Sequence, residues 1–504
     1  NKMNIPYWLI SSEGKRREAL RENMDCDYLI IGGGLTGLTC LYFLSKEGLN
    51  PVLIDAGRIG YGSTGRNTGK VTCQHGYIYS RIAKKYGLEK AARYYEINNK
   101  AIGFIEKLSQ DLNIDCQFKR LPAYLFTRDS YFVSKLQKEY ELYQKLSIDC
   151  SYEKDIPVPV SVHGALKMNN QAQFHPKRFA DALAEEAEKN GAQIFEETRV
   201  INFEPGERCR IELENGNKIT AKNVVIATHY PCYDGKGFYF ARMKADRSYI
   251  VAIEMDSFPD AHFINIEKPT ISLRYIPEEK LLLISGENHK TGHQDSNHYQ
   301  SLKELAYEIF NTNNVKYQWS AQDYISHDYI PYAGYINSDY KNIYVATGYR
   351  KWGLTNSVAA AMIITDLIKE QTSEYEELYS HLRVKDFLSF NFLKENADVA
   401  VQLISGKLRT GESKIPDEKG EGVVVNVNGK RCGYYRDEDD TVYLVDITCT
   451  HMGCELKWNS QEKSWDCPCH GSRFDYKGNI LEGPAEYSLN SYSEPKNKIN
   501  PQIK

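Results

Sequence analysis

The chain has 504 residues, more than a single hydrophobic core usually supports, so two or three domains are the starting expectation. Hydrophobic residues make up 41% and charged residues 26%, an ordinary globular balance that excludes a mainly disordered chain. The net charge is -4 with both signs interspersed, which argues against nucleic acid as a partner, and no run approaches the roughly 20 apolar residues of a membrane span.

Residues 1–24 show no basic-then-apolar secretory pattern, so a cytoplasmic location is expected. Residues 27–55 read as a strand (Tyr28 to Ile31), a glycine turn, an apolar helix (Leu35 to Leu44) and a second strand (Pro51 to Ile54) ending in Asp55, which is a βαβ unit. Gly32, Gly34 and Gly37 form GxGxxG between the first strand and the helix. In that place the glycines let the backbone approach a pyrophosphate at a helix N-terminus, and Asp55 can accept hydrogen bonds from an adenosine ribose. The spacing points to a dinucleotide and fits FAD and NAD alike.

From 85 to 147 the text is helical and charged, ending in the proline-punctuated stretch at 156–160, and 95–165 is assigned to a second lobe. Residues 176–190 form an amphipathic helix, followed by strand-turn-strand text and the apolar strand Val224 to Ala227, where the chain returns to the first lobe. Residues 238–330 alternate like strands, with one helix near 298–311; the strand Ile343 to Ala346 then precedes a long apolar helix at 357–369. The polar stretch Gly411 to Gly420 marks the last boundary. The expected limits are 25–95, 165–237 and 325–372 for a discontinuous nucleotide domain and 95–165 with 238–325 for an interleaved substrate domain. A helical linker is expected at 373–420 and a C-terminal domain at 421–504.

Eight of the twelve cysteines are scattered, whereas Cys449, Cys454, Cys467 and Cys469 cluster, and clustering argues for a metal site. Cys449-Thr450-His451-Met452-Gly453-Cys454 is followed after twelve residues by Cys467-Pro468-Cys469-His470-Gly471-Ser472. Two Cys and two His in paired loops suit a cluster in which two imidazoles localise the added electron on one iron and raise the potential. The same donors can also cage a structural zinc ion.

This paired text resembles the Rieske [2Fe-2S] proteins of the cytochrome bc type over about residues 421–490, with Gly483-Pro484-Ala485 similar to the proline loop that covers the cluster. The resemblance implies an all-β domain in which Cys449 and Cys467 bind one iron, His451 and His470 bind the other, and Cys454 and Cys469 form a disulfide. It also implies a hydroxyl donor to the cluster at Ser472. Phe474 stands where high-potential members place a Tyr, so an intermediate value in the window of roughly -150 to +300 mV is expected.

Gly62-Ser63-Thr64-Gly65-Arg66-Asn67-Thr68-Gly69-Lys70 resembles the glycine and D-amino acid oxidase family, in which this stretch lies along the flavin. The strand around Val200, the segment Val224 to Thr228, Tyr344 to Gly348 and Trp352 to Asn356 agree with that family, over roughly residues 25–370. The resemblance implies an α/β FAD-binding domain of the glutathione-reductase-like Rossmann type with an interleaved α+β substrate domain. The FAD contacts it implies are Gly32, Gly34, Leu35, Thr36, Gly37, Asp55, Ala56, Ser63, Thr64, Arg66, Asn67, Thr68, Val200, Ala227, Thr228, Gly348, Trp352, Gly353, Leu354 and Thr355. Arg66 replaces the His of covalent relatives, and Tyr349 and Arg350 replace the Cys of another branch, so noncovalent FAD is expected.

Relatives of this kind oxidise a carbon beside a neutral amine and need orientation more than a strong acid or base. Arg274 and Tyr275 match where they hold a substrate carboxylate; a solvated strand residue in an ion pair is the alternative. His75 can face the flavin and donate a proton, or serve as a satisfied structural residue. Trp352 can wall the substrate site or belong to the core, and His175, His289 and His293 are assigned to packing or surface. The function expected is an FAD-dependent dehydrogenase of a small amine or amino acid that passes electrons singly through the cluster to an external acceptor. Its rivals are the reverse current and a non-catalytic carrier or sensor. A Rieske oxygenase is disfavoured because no domain offers two His and a carboxylate for mononuclear iron.

Overall fold

The glycine turn at 32–34 ends the strand Met24–Ile31 and opens the helix Leu35–Lys46, in a computed structural model that describes residues 2–293, 296–312, 314–383, 399, 401–402, 418–427 and 429–492. Two units emerge. The first comprises Asn1–Gly237, Arg247–Asn288 and His298–Arg383; the second comprises Phe238–Asp246, His289–Asn297 and Val384–Lys504. Sequence alone places 238–246 and 289–297 in the substrate domain, whereas the structure gathers them with the C-terminal region.

In the first unit, Met24–Ile31 pairs in parallel with Lys218–Ile226 on one side and Val52–Ile54 on the other. Ile343–Thr347 and Gln193–Phe195 extend the parallel order outward, and Tyr332–Tyr335 closes one edge antiparallel. Leu29, Ile30 and Ile31 are all buried, as a parallel strand covered on both faces requires. The helix Leu35–Lys46 is apolar nearly all round because it packs against both Gly353–Glu370 and Pro176–Lys189.

A second, nine-stranded sheet runs in the order Val315–Ser326, Met243–Glu254, Leu281–Lys290, Ile271–Ile276, His262–Asn265, Lys119–Thr127, Gly164–Gln173 and Lys70–Val71, with Cys150–Glu153 beside Gly164–Gln173. The two-residue strand Lys70–Val71 matters most for the site, because it leads straight out of the loop 62–69 and joins this sheet at Gln173 and Ala172. In Ile271–Ile276 the strand period of two sends Leu273 and Tyr275 into the apolar cluster of Phe263, Leu282 and Ile284, and Ser272 and Arg274 to the other face.

The C-terminal part of the second unit holds two four-stranded antiparallel sheets. Glycine is required where its tryptophans lie flat on the backbone: a Cβ at Gly433 would sit 2.4 Å from the Trp465 ring, and one at Gly422 2.4 Å from that of Trp458. Of the expected linker, the short helix Glu376–Tyr379 is present and most of 384–417 lies outside the described residues. Among the described residues no helix is long and apolar enough to cross a membrane.

Candidate functional site

The glycine turn is built for close approach. Gly32 has φ +111°, a Cβ there would meet the Ala227 carbonyl oxygen at 2.3 Å, and a Cβ on Gly37 would meet the Gly32 carbonyl oxygen at 1.9 Å. Gly34 caps the helix without a side-chain hydrogen bond, and Leu35 N donates to Thr64 Oγ1 at 2.9 Å. Asp55 ends the second strand, accepting from Gly33 N at 2.6 Å and Gly57 N at 2.7 Å. Burial raises its pKa, and the two backbone N–H groups oppose that shift. Its carbonyl accepts from Thr198 N at 2.7 Å, which brings the strand beginning at Val200 to the same edge; Ala56 beside it is exposed.

The loop after it is wound on itself. Asn67 Nδ2 donates to the carbonyls of Ser63 (3.0 Å) and Thr64 (2.8 Å), while its Oδ1 accepts from Gly69 N at 2.8 Å, with Arg66 and Thr68 on either side. Two tryptophans pin it from outside: Trp319 Nε1 donates to Arg66 O at 2.8 Å and Trp8 Nε1 to Asn67 O at 2.6 Å. Ala227 N donates to Ile31 O, so Ala227 and Thr228 stand at the mouth of the glycine turn. Gly348, at φ +79°, turns the chain towards the helix Gly353–Glu370, whose first turn includes Leu354 and Thr355. Thr36 Oγ1 and Tyr349 OH lie 2.7 Å apart and join the two helix N-termini. A Cβ-free turn facing an uncapped helix end fits the diphosphate of a dinucleotide.

His75 is buried with both ring nitrogens engaged: Nδ1 with Tyr94 OH at 2.7 Å, and Nε2 with Thr72 O at 2.7 Å and Thr355 Oγ1 at 3.0 Å. Burial pushes its pKa down to about 3, so the ring is held neutral, which favours the structural one of the two readings given above. Its ring stacks on Trp352 at 5.0 Å, which makes it a brace for that tryptophan.

Arg274 and Tyr275 part company, since neighbours on a strand face opposite ways. Tyr275 OH donates to the carbonyls of Met255 (2.9 Å) and Asp256 (3.0 Å) within the apolar side of the sheet, away from Arg274. Arg274 is buried, lies 5.0 Å over the Trp8 ring and donates from Nη2 to Phe174 O at 3.2 Å; its Nε and Nη1 have no partner. Two further residues join it. Lys70 Nζ donates to Ser272 Oγ, and His262, cross-strand from Arg274, is buried with neither ring nitrogen bonded. Burial lowers Lys70 to about 7 and Arg274 to about 9, and lowers His262 well below its usual range. Among the described residues no carboxylate pairs with Lys70 or Arg274.

In the second unit the two cysteine loops are closed by backbone bonds, Cys449 N to Cys454 O at 2.8 Å and Cys467 N to Ser472 O at 2.8 Å. Cys454 and Cys469 form a disulfide with Cα atoms 6.6 Å apart. Cys449 and Cys467 are buried side by side; the hydrogen bond between them holds Cys449 low and pushes Cys467 up. The rings of His451 and His470 lie 5.1 Å apart and perpendicular, and burial lowers them to about 4 and about 3. His470 Nδ1 is buried without a hydrogen bond, as expected of a nitrogen kept for a metal. Ser472 Oγ accepts from Ala485 N at 3.0 Å and reaches Cys449. The Phe240 ring meets that of His470 edge-on at 6.0 Å, and a Cβ at Gly292 would lie 2.6 Å from Pro468 Cα. Two thiolates and two imidazoles at one end of a β domain fit a Rieske cluster.

The sequence profile described as FAD dependent oxidoreductase matches residues 27–367. The chain belongs to this family. A second profile, Rieske [2Fe-2S] domain, matches residues 410–493, so this family member binds FAD and a [2Fe-2S] cluster. It is 41% identical over 487 residues to the Rieske 2Fe-2S iron-sulfur protein YhfW of Bacillus subtilis (strain 168), covering 95% of this chain and 96% of that one. It is 26% identical over 215 residues to gamma-glutamylputrescine oxidoreductase of Escherichia coli (strain K12), covering 42% of this chain and half of that relative. Glycine oxidase from Geobacillus kaustophilus shares its fold with TM-score 0.62 and 16% identity, over 72% of this chain and 99% of that one. The chain is thus an FAD-dependent oxidoreductase with a fused Rieske domain.

Proposed function

We propose that this enzyme is a dehydrogenase for a small amine or amino acid bearing an acidic group, and that it hands the electrons singly to an external carrier. The carrying observation is the cluster of Lys70, Arg274 and His262, two buried cations and a bare imidazole with no carboxylate in an ion pair with them among the described residues; Glu278 acts on Arg274 only through its charge. An unpaired buried cation costs several kcal/mol, and an anionic substrate group supplies the missing partner. Glycine and gamma-glutamylputrescine, for which two of the similar proteins are named, both carry an amine and a carboxylate.

When bound, FAD supplies two-electron oxidation of a carbon-nitrogen bond, and the cluster supplies a one-electron relay. Cys449, Cys467, His451 and His470 would hold the cluster, and the glycine turn, Asp55 and the loop 62–69 would hold FAD without a covalent bond. Arg274 and Lys70 orient the substrate, Trp8 and Trp319 keep the flavin loop rigid, and His75 braces Trp352. A cytoplasmic location agrees with the scattered cysteines, which form no disulfide among the described residues.

The test is anaerobic stopped-flow absorbance with a panel of amines, each with and without a carboxylate, following flavin and cluster bands separately. Flavin bleaching ahead of cluster bleaching, selective for the acidic amines, is the expected result. Equal rates for acidic and neutral amines would remove the role of the cationic cluster, and a cluster that reduces the flavin would reverse the current.

A further inference from the structure

The strand Lys218–Ile226 runs into Ala227 and Thr228, and the next residue, His229, stands in a hydrogen-bonded chain that no role above uses. Its Nε2 lies 3.0 Å from Asp323 Oδ1, and its Nδ1 lies 3.3 Å from Ser63 Oγ. Asp323 is fixed by two backbone donors, Tyr324 N to Oδ1 at 2.7 Å and Lys351 N to Oδ2. Ser63 Oγ has a second neighbour at 3.3 Å, the carbonyl oxygen of Gln322. The Tyr324 ring packs edge-on against the imidazole at 4.8 Å, and Thr347 Oγ1 donates to the His229 carbonyl. Asp323 and Tyr324 are thus the titratable groups against the ring. Three of the five stretches matched to the flavin family meet here or end beside it: Ser63 lies in the first, His229 follows Thr228, and Lys351 precedes Trp352.

A hydroxyl has one proton and two lone pairs, which makes this chain reversible. With His229 neutral and its Nε2–H on Asp323, Nδ1 accepts the Ser63 proton. When Nδ1 takes up a proton, it donates to Ser63 Oγ, and the serine proton turns to the Gln322 carbonyl. Both states are fully bonded without moving a heavy atom. The side chains of His229 and Asp323 are 28% and 14% exposed, so protons can pass to water.

We propose that Ser63, His229 and Asp323 form the proton relay of this oxidoreductase, an inference that rests on the amine reading above. Oxidation of an HC–NH unit breaks one C–H and one N–H bond, forms the second bond of C=N, and releases two electrons and two protons. The electrons reduce two equivalents of a one-electron carrier protein. The protons leave one at a time through His229 Nδ1 to water.

The experiment uses the full chain loaded with both cofactors, as wild type, His229→Gln, Asp323→Asn and Ser63→Ala, each with FAD content verified. The first readout needs no amine: the flavin midpoint potential is followed against pH with dithionite as reductant. Wild type shows a break in slope that His229→Gln abolishes and Asp323→Asn displaces. The second readout is amine-driven flavin bleaching, which His229→Gln slows by about 10²- to 10⁴-fold and Ser63→Ala by less, with the pH dependence flattened. A break that survives unchanged in His229→Gln overturns the relay. Failure of the amine reading looks different: no amine bleaches wild type, while the break is present and still lost in His229→Gln.

Discussion

Removing the Ser472 hydroxyl should lower the reduction potential of the cluster by an amount the structure lets one work out. The oxygen accepts from Ala485 N at 3.0 Å, so the single hydroxyl proton is left to donate, and Cys449 is the sulfur it reaches. A hydrogen bond to a charged acceptor contributes about 1.5 kcal/mol at the low end of its range. Reduction adds an electron to the acceptor, so the bond favours the reduced state. At 59 mV per tenfold change for one electron, about 1.5 kcal/mol corresponds to a fall of about 65 mV in Ser472→Ala. An EPR-monitored redox titration of the intact protein measures it, with signal amplitude reporting cluster content. A variant with full cluster occupancy whose potential stays within about 10 mV of wild type would refute the assignment of that proton to the cluster.

Phe474 is fully buried among the cluster cysteines, and Phe474→Tyr, by adding a second donor, is expected to raise the potential by a similar ~65 mV in the same titration. Lys70, lowered to about 7 by burial and then by Arg274, is charged below that pH and must regain its proton to meet an anion above it. KM for an acidic amine should therefore be flat below pH 7 and rise up to tenfold per unit above, and Lys70→Met should abolish that rise in a pH series of steady-state assays. Asp328 is buried in a bidentate pair with Arg383 at 2.9 Å and 3.1 Å, and Arg383→Met should cost about 3–5 kcal/mol by urea unfolding. Burial raises the Asp328 pKa, but the charge and hydrogen bonds of Arg383, the Tyr86 hydroxyl and the charge of Lys85 together lower it by more, so its stabilisation is present above the unfolded value of about 4 and is lost as pH falls through the lower folded value. Gly292→Leu would drive a side chain into the Cys467–Pro468 turn, and a changed EPR line shape of the reduced cluster with normal FAD content is the expected signature.

Legibility in the sequence followed the distance over which each feature is specified. The glycine turn, Asp55 and the two cysteine loops are local motifs, and in the structure Asp55 meets Gly33 N and Cys454 pairs with Cys469, the pairing that the resemblance implied. Tyr275 shows what a local reading cannot do: next to Arg274 in the chain, it faces the opposite side of its strand, and only the buried cluster behind it reveals which side is which. His75 was ambiguous for a similar reason, because its hydrogen-bond partners Tyr94 and Thr355 lie 19 and 280 residues away.

The residues that sequence reasoning passed over share one property: their meaning arises only through contacts between segments far apart in the chain. Lys70 and Ser272 are 202 residues apart, and His229 and Asp323 are 94 apart. Lys70 closed a stretch already matched to the flavin, and the strand it begins is too short for periodicity to detect. Trp8, which no motif singles out, is fully buried, donates to the loop 62–69 and lies under Arg274. What holds the candidate substrate site together is thus a set of long-range contacts converging on a loop whose own sequence announces only the cofactor. The cofactors could be inferred from motifs for that reason, whereas the proposals of an acidic substrate and of a proton path rest on the packed structure.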